Sequence, residues 1–316
     1  MTQCSSLLNL STTWDILGPF QIGTREAEWG ADPLEKYGGF RNLTYDTTSR
    51  FKSSLPINGV AQWSQTQLSA QNTNYTRGTV TVGFENVDWD NLRSIYGWSG
   101  IQFQAWARGS LDVCADVHAQ SDQTTIILHV WNVGEFWVDD TQYFGGDFYG
   151  YRRAPVVLRL APGKHKFDVR VTHDIRNFGG GMPPRIAFEV EAKVSPGGLI
   201  VVPEGAVMSD LVEGRIVGKW VSVPLRNDAV NWIEVLEVVS VDNTTQLSFA
   251  QDYLPLGFAP GQTRPVKFRV EQLGSNATDI ALKFRYRAKG ESGSQWVPFT
   301  RKLNKISHWY LPQKYT

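Results

Sequence analysis

The sequence predicts an almost wholly β chain folded into two sandwich-like domains, and three observations carry that expectation. Apolar and polar residues alternate with period 2 in several runs. In 164–171, for example, Phe167, Val169 and Val171 take one side and Lys166, Asp168 and Arg170 the other. Gly, Pro and Asn turns separate these runs at short intervals, and no long run of helical period occurs. The length, 316 residues, is about twice that of an ordinary single domain.

Taken in order, residues 1 to 70 read as an irregular segment broken at Gly18-Pro19, Gly38-Gly39 and Asn58-Gly59. Such a segment must wrap over a core laid down by later strands, with Trp14, Phe20, Trp29, Phe40 and Trp63 as anchors. Strands are then expected at 79–84, 101–106, 125–131, 135–139, 155–160, 164–171 and 185–194, with one helical turn at 90–96. Ala161-Pro162-Gly163 makes a turn, because Pro presets φ and Gly accepts positive φ. Ser195-Pro196-Gly197-Gly198 is the expected linker, which places the domains at 1–195 and 199–316. Beyond it, shorter strands at 216–223, 232–241, 246–249, 266–270, 280–288 and 296–303 fit an immunoglobulin-like sandwich.

Lys plus Arg and Asp plus Glu each number 31, and a net charge of zero argues against a nucleic-acid partner held by bulk charge. The distribution is uneven. Between Gly109 and Tyr151 there are acids but no Lys or Arg, whereas basic residues dominate from Gly261 onward. Cys4 and Cys114 form no disulfide framework, and Cys114 reads as a small buried hydrophobe. No signal peptide is visible at the N-terminus, and no apolar run is long enough to span a membrane. Sequons at Asn9, Asn42, Asn74, Asn243 and Asn276 point towards secretion; without it the chain would be cytoplasmic.

Gly97-Trp98-Ser99-Gly100 and Gly290-Glu291-Ser292-Gly293 lack the spacing of a hydrolase elbow, and the five His residues lack zinc-ligand spacing. No catalytic residue is therefore assigned, and the chain on its own is not expected to be an enzyme. The richest constellation lies at 131–151. There Trp131, Asn132, Glu135, Trp137, Asp139, Asp140, Asp147 and Tyr149 combine stacking rings, an amide and carboxylates, the ingredients of a sugar site. Asp139, Asp140 and Asp147 could alternatively hold calcium, which takes several hard oxygens; no other cofactor is implied. The bland reading is a twisted hairpin with core aromatics and solvated acids. Lys267 and Arg269 alternate with Val266 and Phe268, as do Lys283, Arg285 and Arg287 with Leu282, Phe284 and Tyr286. If the two runs are neighbouring strands, these five cations share one face, either solvated or docking an acidic partner.

The run 14–34, opening Trp14-Asp15-Ile16-Leu17-Gly18-Pro19-Phe20, and the run 145–155, with Leu160-Ala161-Pro162-Gly163-Lys164-His165 after it, carry a further signal. They resemble the N-terminal β region of large fungal prolyl-oligopeptidase-like proteins, whose catalytic half is an α/β-hydrolase. The resemblance implies a non-catalytic, substrate-gating region with a downstream α/β-hydrolase domain as partner. The strand-turn pattern around Leu160 to His165 also looks like the jelly rolls of galactose-binding and protective-antigen-type modules, which makes 1–195 a jelly-roll-like sandwich. The alternatives are a carbohydrate-binding, lectin-like module with a glycan partner, and a structural β protein that dimerises through sheet edges.

Overall fold

The computed structural model describes residues 7–23, 32–71, 74–96, 102–114, 123–144, 155–173, 184–195, 197–208, 210–212, 215–216, 218–241, 245–248, 254–273, 278–303 and 305–306. The fold is all-β, and the chain divides into two compact units, Met1–Val194 and Ser195–Thr316.

The first unit contains β1 (Leu8–Leu10), β2 (Thr13–Gly23), β3 (Phe51–Lys52), β4 (Val60–Gln71), β5 (Asn74–Gly83), helix α1 (Trp89–Tyr96), β6 (Gln102–Val113) and β7 (Thr124–Trp131). It continues with β8 (Glu135–Val138), β9 (Thr141–Phe144), β10 (Val156–Leu160), β11 (Gly163–His173) and β12 (Arg185–Val194). The strands run in the order β10-β7-β12-β5-β4-β2-β6-β11-β8-β9, with every pairing antiparallel. β4 belongs to both layers: Gln62 to Gln67 pair with β2, and Leu68 to Gln71 with β5. Between the layers, Trp14 meets Phe167 and Phe188 edge-on, at centroid distances of 5.6 and 5.3 Å. Alternate residues of β6, β7, β11 and β12 complete this core.

The expectation of an irregular segment over 1–70 is corrected, because β2 and β4 lie at the centre of the strand order. Gly18-Pro19 reads as a breaker, yet it sits inside β2, where the register with β6 shifts between Leu17 and Phe20. A Cβ on Gly18 would come 2.9 Å from the Ala105 Cβ, so glycine here serves close strand packing. Among the described residues of this segment, 32–55 behave as the wrap. They cover the outer face of the β2–β6–β8 layer, where Leu34, Phe40 and Phe51 bury Leu17, Trp63, Trp106 and Trp137.

Cys114 is also corrected: it is disulfide-bonded and not merely a buried hydrophobe. β1 pairs with the end of β6, and the Cys114 N–H donates to the Leu7 carbonyl at 2.9 Å, so the chain just ahead of β1 runs beside this cysteine.

The second unit contains β13 (Leu199–Val201), β14 (Leu211–Val212), β15 (Arg215–Ile216), β16 (Trp220–Asn227), β17 (Ile233–Ser240) and β18 (Gln246–Ser248). β19 (Leu256–Phe258), β20 (Thr263–Gln272), β21 (Asp279–Ala288), β22 (Gln295–Lys302) and β23 (Lys305–Ile306) follow. Two four-stranded sheets, β13-β16-β20-β18 and β19-β17-β21-β22, enclose Val223, Leu225, Val235, Phe258, Phe268 and Phe284 in an immunoglobulin-like sandwich. Ser195 Oγ donates to the Asp228 carbonyl at 2.6 Å, and the Asp228 N–H donates to the Gly198 carbonyl at 2.9 Å. The residues read as linker thus already hold on to this unit. Among the described residues no helix is long and apolar enough to cross a membrane.

Candidate functional site

Among the described residues, the 131–144 part of the constellation does not form an exposed platform. Trp131 is buried, with His129 stacked on it at 5.3 Å and the Arg77 guanidinium over its ring at 5.8 Å. Trp137 is buried under the wrap beside Trp106, with centroids 5.4 Å apart. Glu135 is buried and accepts from Arg170 Nε and Gln142 Nε2, each at 2.6 Å. Asn132 has φ 64° and donates its amide to the Ala187 carbonyl. The reason is the pleat: one side of β7 and of β8 faces the core, and the other is covered, by His129 and Arg77 at Trp131 and by the wrap at Trp137.

The acids of this hairpin diverge. Asp139, at φ 51°, contacts His165 Nδ1 at 2.7 Å with one oxygen and accepts the Lys166 N–H at 2.9 Å with the other. Asp140 turns outward to Arg41. Among the described residues no three His, Cys, Asp or Glu gather as a metal site, and Asp147 and Tyr149 lie outside them. Asp139 thus acts as a clamp on the turn before β11. His165 Nε2 sits 2.8 Å from the Ala161 carbonyl, so both ring nitrogens face acceptors, which suits the imidazolium. Burial pulls the imidazole pKa down. The hydrogen bonds to Asp139 and Ala161 and the charges of Asp139 and Asp112 outweigh it and hold the pKa above its ordinary value.

The shared basic face is corrected as well. β20 and β21 belong to different sheets, so Lys267 and Arg269 lie on one sheet of the sandwich and Lys283, Arg285 and Arg287 on the other. Carboxylates answer most of these cations. Arg269 lies 3.3 Å from Glu271, Arg285 2.9 Å from Glu237 and Arg287 3.0 Å from Glu234. Lys267 is also engaged in the fold. Glu271 accepts from Ser248 Oγ, the main cause of its pKa falling below the ordinary carboxylate value, and Lys219 and Arg269 add to the effect.

What the sequence reading missed is aromatic. Trp232 and Trp296 are half-exposed, at 51% and 44%, on the outward side of the β19-β17-β21-β22 sheet. Ile233 and Val235 point into the core, so Trp232 and Glu234 point out; Trp296 opposes Arg285 across β21 and β22. Lys283 Nζ lies 4.9 Å from the Trp296 ring centroid and Lys289 Nζ 5.9 Å from that of Trp232. The face therefore carries two indoles with the Glu234–Arg287 and Glu237–Arg285 pairs between them. The signal available in the sequence was Trp at the outward phase of two strands, Trp232 just before Ile233 and Trp296 alternating with Val297 and Phe299.

No protein-family model matches the chain. A protein of Arthroderma benhamiae named "Uncharacterized secreted protein" is 37% identical over 303 residues, which cover 92% of this chain and 31% of that protein. The chain thus spans about a third of the length of the relative it matches. The prolyl-oligopeptidase resemblance is thereby corrected: the relative found over 92% of this chain is an uncharacterized secreted protein. Among solved structures, a Bacteroides uniformis β-glucuronidase 2 has a TM-score of 0.32 at 9% identity, over 94% of this chain and 32% of that one. A Bifidobacterium dentium β-glucuronidase has a TM-score of 0.28 at 8% identity, over 95% and 49%. The adhesin domain of Epf from Streptococcus pyogenes has a TM-score of 0.22 at 9% identity, over 92% and 99%. Likenesses this remote carry no argument about function.

Proposed function

We propose that the chain is a non-catalytic, glycan-binding β region of a secreted protein, and that the Trp232–Trp296 face is its binding surface. The observation that carries this reading is the pair of half-exposed indoles on one outward sheet face. Indole faces cover the apolar faces of sugar rings, and the carboxylates and guanidiniums between them can bond hydroxyls. Trp232 lies four residue rows and two strands from Trp296, which strand rise and spacing convert to about 16 Å. That separation suits an extended oligosaccharide crossing the strands, not a single sugar. Three features support secretion: the disulfide at Cys114, the exposed sequon residue Asn42 and the name of the Arthroderma relative, a secreted protein.

Affinity electrophoresis of the full chain through gels containing soluble polysaccharides tests the reading. At least one polysaccharide should retard the chain, and Trp232→Ala and Trp296→Ala should each weaken retardation by about two- to tenfold, the range expected for one lost aromatic contact. Equal retardation of both variants, or none with any polysaccharide, refutes it.

A further inference from the structure

The first unit carries a second feature, independent of the Trp232–Trp296 face. β1 ends at Leu10 and β2 starts at Thr13, and the break leaves a notch beside β6. Ser11 Oγ spans it by accepting the Ser110 N–H at 2.6 Å. The notch opens into a groove of about 400 Å³ on the outer face of the sheet, a volume within the roughly 300–1,000 Å³ of small-molecule sites. Ser11, Thr13, Asp15, Arg108, Lys164 and Lys166 line it.

These groups are not equally available. Arg108 is spent on the fold: it grips Asp168 with Nε at 2.6 Å and Nη2 at 3.1 Å, and it also donates to the Phe40 and Leu43 carbonyls. Lys166 Nζ lies 3.8 Å from the same Asp168, whose charge Arg108 already shares. Lys164 is exposed and makes no ion pair or hydrogen bond among the described residues, although Asp112 is its direct cross-strand neighbour. Lys164 and Lys166 stand two residues apart on one side of β11, roughly 7 Å from each other. The groove thus has a cationic wall on β11. Its opposite wall, on the β1–β2 side, carries the Asp15 carboxylate and two hydroxyls already in use, Ser11 accepting the Ser110 N–H and Thr13 accepting from Gln67 Nε2 at 3.1 Å, each oxygen with a further lone pair. Asp15 already accepts from Gln65 Nε2 at 2.8 Å and has lone pairs to spare.

We propose that this groove binds an acidic sugar unit, its carboxylate between Lys164 and Lys166 and its hydroxyls on Ser11, Thr13 and Asp15. The division of the walls is the reason: one side supplies charged donors, the other hydroxyls and an acceptor. A ligand complementary to both needs an anionic end and a hydroxylated end. A bare anion would leave Asp15 facing it, and a neutral sugar would leave Lys164 unanswered.

Isothermal titration of the full chain with trigalacturonate, its methyl ester and inorganic sulfate separates these cases. Trigalacturonate should bind, the ester about tenfold more weakly, and sulfate without measurable heat. Lys164→Gln should weaken trigalacturonate by about fivefold, the upper range for one exposed ion pair, with an unchanged melting temperature. Trp232→Ala and Trp296→Ala should leave this titration unaltered, so failure here and failure of the tryptophan face are told apart. Equal affinity for acid and ester, sulfate binding as tight as trigalacturonate, no effect of Lys164→Gln, or no heat with any probe overturns the proposal.

Discussion

Arg108→Ala should be among the most damaging polar substitutions in the chain. The Asp168 side chain is fully buried and Arg108 is only 15% exposed, so their bidentate pair is largely shielded from water. Removing the guanidinium leaves a buried carboxylate whose one remaining cation among the described residues is Lys166, at 3.8 Å, and breaking a buried pair in this way costs about 3–5 kcal/mol. The same change frees the Phe40 and Leu43 carbonyls and removes the cation lying 4.6 Å over the Phe40 ring, contacts that together pin the wrap to the sheet. The wrap should therefore loosen before the rest of the unit. Urea unfolding followed by Trp fluorescence reads the cost, because Trp63, Trp106 and Trp137 lie beneath the wrap. Limited proteolysis reads new cleavage within 32–55. Replacing both partners, Arg108→Leu with Asp168→Leu, should recover about 2 kcal/mol or more of the single-variant loss, since no uncompensated charge remains. A cost below about 1 kcal/mol with an uncut wrap, or strict additivity in the double variant, would refute the reasoning.

Two further outcomes follow from the same geometry. The His165 pKa is raised in the folded state, so its contribution to stability is fully present below the unfolded value near 6.5 and is lost as pH rises through the folded pKa; His165→Gln should flatten this part of a melting-temperature profile taken from pH 5.5 to 9, and an unchanged slope would count against the clamp. Cys114→Ser should lower stability by about 2–4 kcal/mol in urea and make the wild-type protein's sensitivity to reductant disappear, whereas equal midpoints for the two proteins would contradict the disulfide's role.

The sequence by itself determined the class of the fold. Period-2 alternation in 164–171 and 185–194 becomes β11 and β12, and the turn chemistry of Ala161-Pro162-Gly163 falls between β10 and β11. These signals are local, carried by residues two or three apart, so they survive without knowledge of partners. The central strands β2 and β4 were not legible, because Gly18-Pro19 looks like a breaker until Ala105 is seen packing against it. The described hairpin residues, 131–144, form no exposed platform for a related reason. Aromatic and acidic residues on a strand have the same composition whether they face water or a covering segment, and residues 32–55, almost a hundred positions away, are what cover Trp137. The basic runs of β20 and β21 alternate as read, yet alternation fixes only which side of its own strand a residue takes. Which sheet each strand joins is set by long-range pairing, and that pairing sent the two runs to different sheets. The groove beside Lys164 arises in the same way: its two walls lie about 150 residues apart in sequence and meet only because β6 pairs with β2 on one side and β11 on the other.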